Sequence, residues 1–176
     1  MKNFSMTKFV IALLLVAFAV GMFAPTAQAA GKKGNTIVDI ALAANAQTGE
    51  FSILIAALQA ADPAVIRTLS GRGQFTVFAP TDAAFGDLLA ELGVTADQLL
   101  SDQKLLTRVL LYHVAFGRRD SAQVLASDRI RTLNGGFLYQ SGGVLTDANG
   151  RTANIIAVDI KAGNGIIHVI DRVVLP

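Results

Sequence analysis

Residues 75–85 read Phe75-Thr76-Val77-Phe78-Ala79-Pro80-Thr81-Asp82-Ala83-Ala84-Phe85. The first five are β-branched, aromatic or small, and such a run predicts a buried strand. Pro80 has no N–H to give a sheet ladder, so it ends the strand. Thr81 or Asp82 can then accept hydrogen bonds from the free N–H groups of a helix start. That helix is expected to run to about Leu92, with Gly93 as its stop.

Upstream, from Thr36 to about Ser70, the pattern is helical. Ile37, Ile40 and Ala41 recur at one-turn spacing, and so do Phe51, Leu54, Ile55 and Leu58. Asp62-Pro63 is a second helix start, for a short helix Pro63 to Leu69 closed by Gly71. Downstream, Thr95-Ala96-Asp97-Gln98 has the form of a capping box. A helix from about Asp102 to Leu111 follows and buries Leu105, Leu106, Val109 and Leu110. Beyond Tyr112 the apolar runs shorten. They are separated by Asn134-Gly135-Gly136, Ser141-Gly142-Gly143, Asn149-Gly150 and Asn164-Gly165, where Asn and Gly tolerate the positive φ of tight turns. Helices in the first half and strands in the second indicate an α+β class, with an antiparallel sheet or sandwich.

At the N-terminus, Lys2 and Lys8 precede an apolar run from Phe9 to Ala24, and Ala27-Gln28-Ala29 supplies a small-x-small cleavage site. Residues 1–29 are therefore expected to be a secretory signal peptide. The run is shorter than the roughly 20 residues of a spanning helix. Residues 30–34 form a short flexible leader, and 35–176 form one domain. The 176-residue chain has 15 Lys+Arg, 13 Asp+Glu, 52% hydrophobic residues and no Cys. Without Lys2 and Lys8 the charges balance, so no basic stripe calls for nucleic acid or an anionic membrane. The membrane is met only transiently, through the signal peptide. With no Cys, neither a disulfide nor a thiolate metal site is available. A soluble product, periplasmic or extracellular and cleaved near Ala29, is expected.

Candidate chemistry is sparse. Two histidines, His113 and His168, come with no clustered third ligand, so no metal is expected, and no motif calls for a cofactor. No G-x-S-x-G elbow is present, and Gly71-Arg72-Gly73 lacks the rest of a phosphate loop. In Ile166-Ile167-His168-Val169-Ile170, alternation puts His168 on the face of Ile166 and Ile170. It reads as a core histidine whose ring nitrogens meet backbone groups. His113, beside Tyr112 at a helix-to-strand junction, reads as a polar clip between segments. Arg118-Arg119 and Arg129/Arg131 could form a basic patch, but the favoured reading is solvated loop and strand-edge charge. No catalytic residue is assigned.

Three segments together resemble the fasciclin-domain family: Phe75 to Phe85, Tyr112-His113, and Asn164-Gly165-Ile166-Ile167-His168-Val169-Ile170-Asp171-Arg172-Val173-Val174-Leu175-Pro176. The opening Thr36 to Ala41 and the turn Leu133-Asn134-Gly135 fit as well. The resemblance covers about Asn35 to Pro176. It implies a β-sandwich or wedge with a helical layer contributed mainly by the N-terminal half. It also implies a secreted cell-adhesion or protein-interaction module without catalytic activity, whose partner is an extracellular or cell-surface protein or matrix. By resemblance, the interaction candidates are Tyr112 and His113 with Leu111 and Val114, and the pair Asp159-Ile160. Thr81, Asp82, Asn164, Gly165 and His168 are expected to be structural. An alternative implied by the family is an apolar, carotenoid-like ligand held between sheet and helices.

Overall fold

The computed structural model describes residues 35–176. The expected signal peptide, 1–29, and leader, 30–34, lie outside the described residues. The first helix, α1 (Ile37–Thr48), opens on a capping box between Thr36 and Asp39 and closes at Gly49, whose φ of 71° is left-handed. Then come α2 (Ser52–Ala60) and α3 (Pro63–Leu69), the latter capped by Asp62 with Pro63 in the first turn, as the sequence indicates. Strand β1 (Phe75–Pro80) leads into α4 (Asp82–Leu92), capped by Thr81 and stopped at Gly93. The predicted Thr95/Gln98 box opens α5 (Ala96–Ser101), and α6 (Gln103–Tyr112) follows. The remainder is β2 (Val114–Phe116), α7 (Ser121–Leu125), β3 (Arg129–Arg131), β4 (Phe137–Ser141), β5 (Val144–Thr146), β6 (Thr152–Ala162) and β7 (Gly165–Ile170).

The strands form one sheet in the order β2-β1-β7-β6-β5-β4-β3. An Ala115–Thr132 bridge and a 2.7 Å bond from the Leu133 N–H to the Val114 carbonyl bring β2 against β3, so the sheet curls onto itself. The architecture is the expected α+β one, and the pairings are antiparallel except for one. That exception corrects the wholly antiparallel expectation: β1 and β7 run parallel, from Phe75 opposite Gly165 to Pro80 opposite Ile170. A parallel pair needs a long connection, and most of the domain lies between these two strands. Both are buried at every position, which explains their near-continuous apolar sequences.

The two faces of this pair serve two cores. Val77, Ala79, Ile167 and Val169 meet the helical layer, against residues such as Leu54, Leu58, Leu106 and Leu110. Phe78 and Ile170 point into the curl, with Ile130, Leu138, Leu145 and Ala153. Short α7 seats Val124 in this second core.

Candidate functional site

Tyr112 is the last residue of α6 and His113 caps its C-terminus. The Tyr112 ring is fully buried. Its hydroxyl donates to the Phe137 carbonyl (2.6 Å) and accepts from the Ala148 N–H (3.1 Å). Burial pushes its pKa up. His113 Nδ1 lies 2.8 Å from the Val109 carbonyl, and Nε2 receives the Val174 N–H at 3.2 Å. A carbonyl on one side and an N–H on the other select the neutral Nδ1–H tautomer. Burial lowers the imidazole pKa to about 4. Val114 is buried as well, and Leu111 packs half-buried against the helical core. Tyr112, His113 and Val114 thus face inward, and a partner at this point would meet the surface above them.

Asp147 completes this clasp, and the sequence reading did not single it out. Its buried carboxylate accepts the N–H groups of Asn149, Arg151 and Leu175. Together with His113 it fastens Val173–Leu175 across the molecule. The available signal was an Asp two residues before Asn149, the spacing of an Asx turn.

Asp159-Ile160 lies where the β6–β7 register slips. Asp159 has φ +60°, the one positive φ at a non-glycine among the described residues. Its carboxylate takes the Ser121 N–H at 2.8 Å and the Ser121 hydroxyl at 2.6 Å, tying β6 to the start of α7. Those two bonds hold its pKa below the usual carboxylate value. Its own N–H donates to His168 Nδ1 (3.3 Å), while His168 Nε2 donates to the Arg119 carbonyl (3.0 Å). The His168 ring is fully buried and stacks on Phe78 with centroids 5.8 Å apart. This is the core histidine read from the alternation. Ser121, Asp159 and His168 meet, yet His168 faces the main chain of Asp159 and not its carboxylate. Ile160 packs half-buried against the helical core.

The remaining motif residues are also braces. Thr81 caps its own helix, receiving the Ala84 N–H. Asp82 instead reaches α2 and accepts from the N–H groups of Ser52 and Ile53. Helix α2 has no side-chain cap of its own at Phe51. Asn164 accepts from the Ile37 N–H (2.8 Å) and donates to the carbonyls of Leu69 and Gly71. The expectation of positive φ at Asn164-Gly165 is corrected, since neither residue has it. Gly165 is needed for space: a Cβ there would overlap the Phe75 carbonyl oxygen and the Ile37 side chain. Of the arginines, Arg118 donates to the Ala162 carbonyl and Arg119 to the Ser127 hydroxyl. Among the described residues, no three His, Cys, Asp or Glu side chains gather as a metal site. No single described helix is long and apolar enough to cross a membrane. An apolar cavity of about 50 Å³ lies between the helices and the β1–β7 pair, lined by Ile37, Phe51, Leu54 and Val77 among others.

Fold and site define a braced α+β scaffold, in which the polar residues of the signature segments hold one element to another. The chain belongs to the fasciclin family: the fasciclin domain model matches residues 49–176. It is 41% identical over 157 residues to Protein sll1483 of Synechocystis sp., covering 87% of this chain and 80% of that one. It is 36% identical over 115 residues to the cell surface glycolipoprotein MPB83 of Mycobacterium bovis, covering 65% of this chain and 49% of the relative. In structure it is similar to a FAS1 domain pair from the insect cell adhesion molecule Fasciclin I, with TM-score 0.59 and 21% identity over 73% of this chain and 46% of that one. The chain thus spans about half of the mycobacterial relative and about half of the insect domain pair. The family includes cell-adhesion and cell-surface proteins.

Proposed function

We propose that this chain is an exported, non-catalytic module for cell adhesion or extracellular protein contact, released by cleavage near Ala29. The observation that carries this reading is how its polar motif residues are used. Both nitrogens of His113 and of His168 are bound to the main chain. Neither ring has a nitrogen free to serve as a base, and the free surface is left to do the work. The glycolipoprotein and adhesion-molecule relatives support the same reading. The partner would be a surface or matrix component, met over the half-buried Leu111 and around Asp159-Ile160, with Tyr112, His113 and Val114 holding that surface in shape from beneath.

The test is to delete the gene in its host, measure surface adhesion, and identify what cross-links to the exported chain. N-terminal sequencing of that product checks the Ala29 site. An adhesion defect restored by the intact gene is expected. Normal adhesion with no cross-linked partner would refute the reading. The apolar-ligand alternative draws no support from the cavity, because about 50 Å³ is well below the roughly 300–1,000 Å³ of pockets that enclose drug-sized ligands.

A further inference from the structure

The strands β3 to β6 have one face in the inner core and the other in solvent, and the solvent face has a distinct chemistry. Cross-strand register aligns Arg129, Tyr139, Thr146 and Thr152 in one row and Arg131 with Phe137 in the next. Residues paired across strands share a face. Their inward neighbours Ile130, Leu138, Leu145 and Ala153 are fully buried, which fixes the direction of the row. Tyr139 is 52% exposed. The Arg129 guanidinium lies over the Phe137 ring, 5.0 Å from its centroid. Such stacking steadies the flat group and leaves its N–H edge open.

Charge makes this face unusual. Residues 35–176 carry 11 Lys+Arg (the 15 less Lys2, Lys8, Lys32 and Lys33) against 13 Asp+Glu, formally −2. The outward positions of β3 to β6, from Arg129 to Asn154, nevertheless include two arginines and no acid. Among the described residues neither Arg129 nor Arg131 forms a salt bridge. Other acids collect elsewhere: Glu50, Asp82 and Asp87 line an open groove near the start of α4, together with Arg172, while the Asp171 carboxylate is taken up by Asn154 at the far end of the row from the arginines.

The geometry points to this outer face as a binding surface for an acidic polysaccharide, a second surface apart from Leu111 and Asp159-Ile160 that rests on the adhesion reading and goes beyond it. Each arginine presents a fork that matches a sugar carboxylate. Tyr139 offers a rigid, amphipathic ring against which a sugar face can lie. The Thr146 and Thr152 hydroxyls continue the row, which spans three strand spacings, about 14 Å, room for a short run of sugar rings. An anionic membrane fits less well, because attraction there accumulates with each cation and this face has two. A nucleic acid would need a longer basic track.

The test uses the exported chain in native gels containing polygalacturonate or neutral dextran, with phosphatidylglycerol vesicles in a parallel sedimentation assay. Polygalacturonate should retard the chain and dextran should not. Arg129→Ala/Arg131→Ala should weaken retardation at least tenfold with an unchanged melting temperature, and Tyr139→Ala several-fold. Arg129→Lys should recover only part of the effect, because it keeps the charge and loses the fork. Arg72→Ala/Lys104→Ala, the same charge change on other elements, should leave retardation intact. The proposal is overturned if the wild type is not retarded, if dextran retards it equally, if the control pair loses as much, or if vesicles bind and polygalacturonate does not. A chain that ignores polygalacturonate yet still cross-links to a surface protein sinks this proposal and leaves the adhesion reading standing.

Discussion

His113 is neutral in the fold because its burial outweighs the carbonyl bond that favours its charged form. Its pKa is about 4 when folded and near 6.5 when unfolded. As the pH falls, the unfolded chain therefore takes up the proton first. Stability should be full above about pH 6.5 and should drain between there and about pH 4, by up to about 3 kcal/mol. Denaturant titrations across that range check this. His113→Phe should flatten the change in that window while lowering stability at pH 7, because the Val174 N–H and the Val109 carbonyl lose their partner. His168→Ala removes the partner of the Asp159 N–H and of the Arg119 carbonyl, at an expected cost of about 1–3 kcal/mol. An unchanged unfolding midpoint would contradict its role as a brace. Gly165→Ala should cost at least about 2 kcal/mol, the order of an overpacked core, since the atoms in its way are main chain and a core isoleucine.

Adjacent residues of the first signature block serve different elements. Thr81 caps α4 and Asp82 caps α2. Replacing either with Ala should cost about 1 kcal/mol. The two losses should add only in part, because Thr81 and Asp82 are neighbours in one turn. Thermal unfolding of both single variants and the double variant measures this. The strand, the proline stop and a cap at Thr81 or Asp82 were legible because each is a local rule met within a few residues, and in the structure the cap is Thr81. The destination of the Asp82 carboxylate was not, since it lies 30 residues back in sequence. Asn164 shows the same limit. Its turn-forming character was readable, but its three bonds go to Ile37, Leu69 and Gly71, which only the tertiary fold brings near. The twist at Asp159 escaped for another reason: a bulge depends on the register of two strands, and alternation within one strand does not record it. Alternation did place His168 correctly, because β7 keeps period two along its length.

At the scale of the molecule, the segment after β7 is a strap. Val173 and Val174 are buried, and His113 and Asp147 receive the N–H groups of Val174 and Leu175. Removing Asp171–Pro176 should forfeit about 1.5–3 kcal/mol for each valine, leave the buried His113 Nε2 without its donor and take one of three N–H donors from Asp147. The expected result is a chain without a cooperative unfolding transition, read by circular dichroism on heating. The parallel seat of β7 between β1 and β6 bears on the order of events during synthesis. When residues 35–160 have left the ribosome, β1 still lacks its inner neighbour and the helices have half a floor. A nascent chain must hold those surfaces open until its final strand emerges, so the domain closes late and in one step. It makes a poor substrate for piecemeal folding, and chaperones that shield unfinished polypeptides should bind it through most of translation.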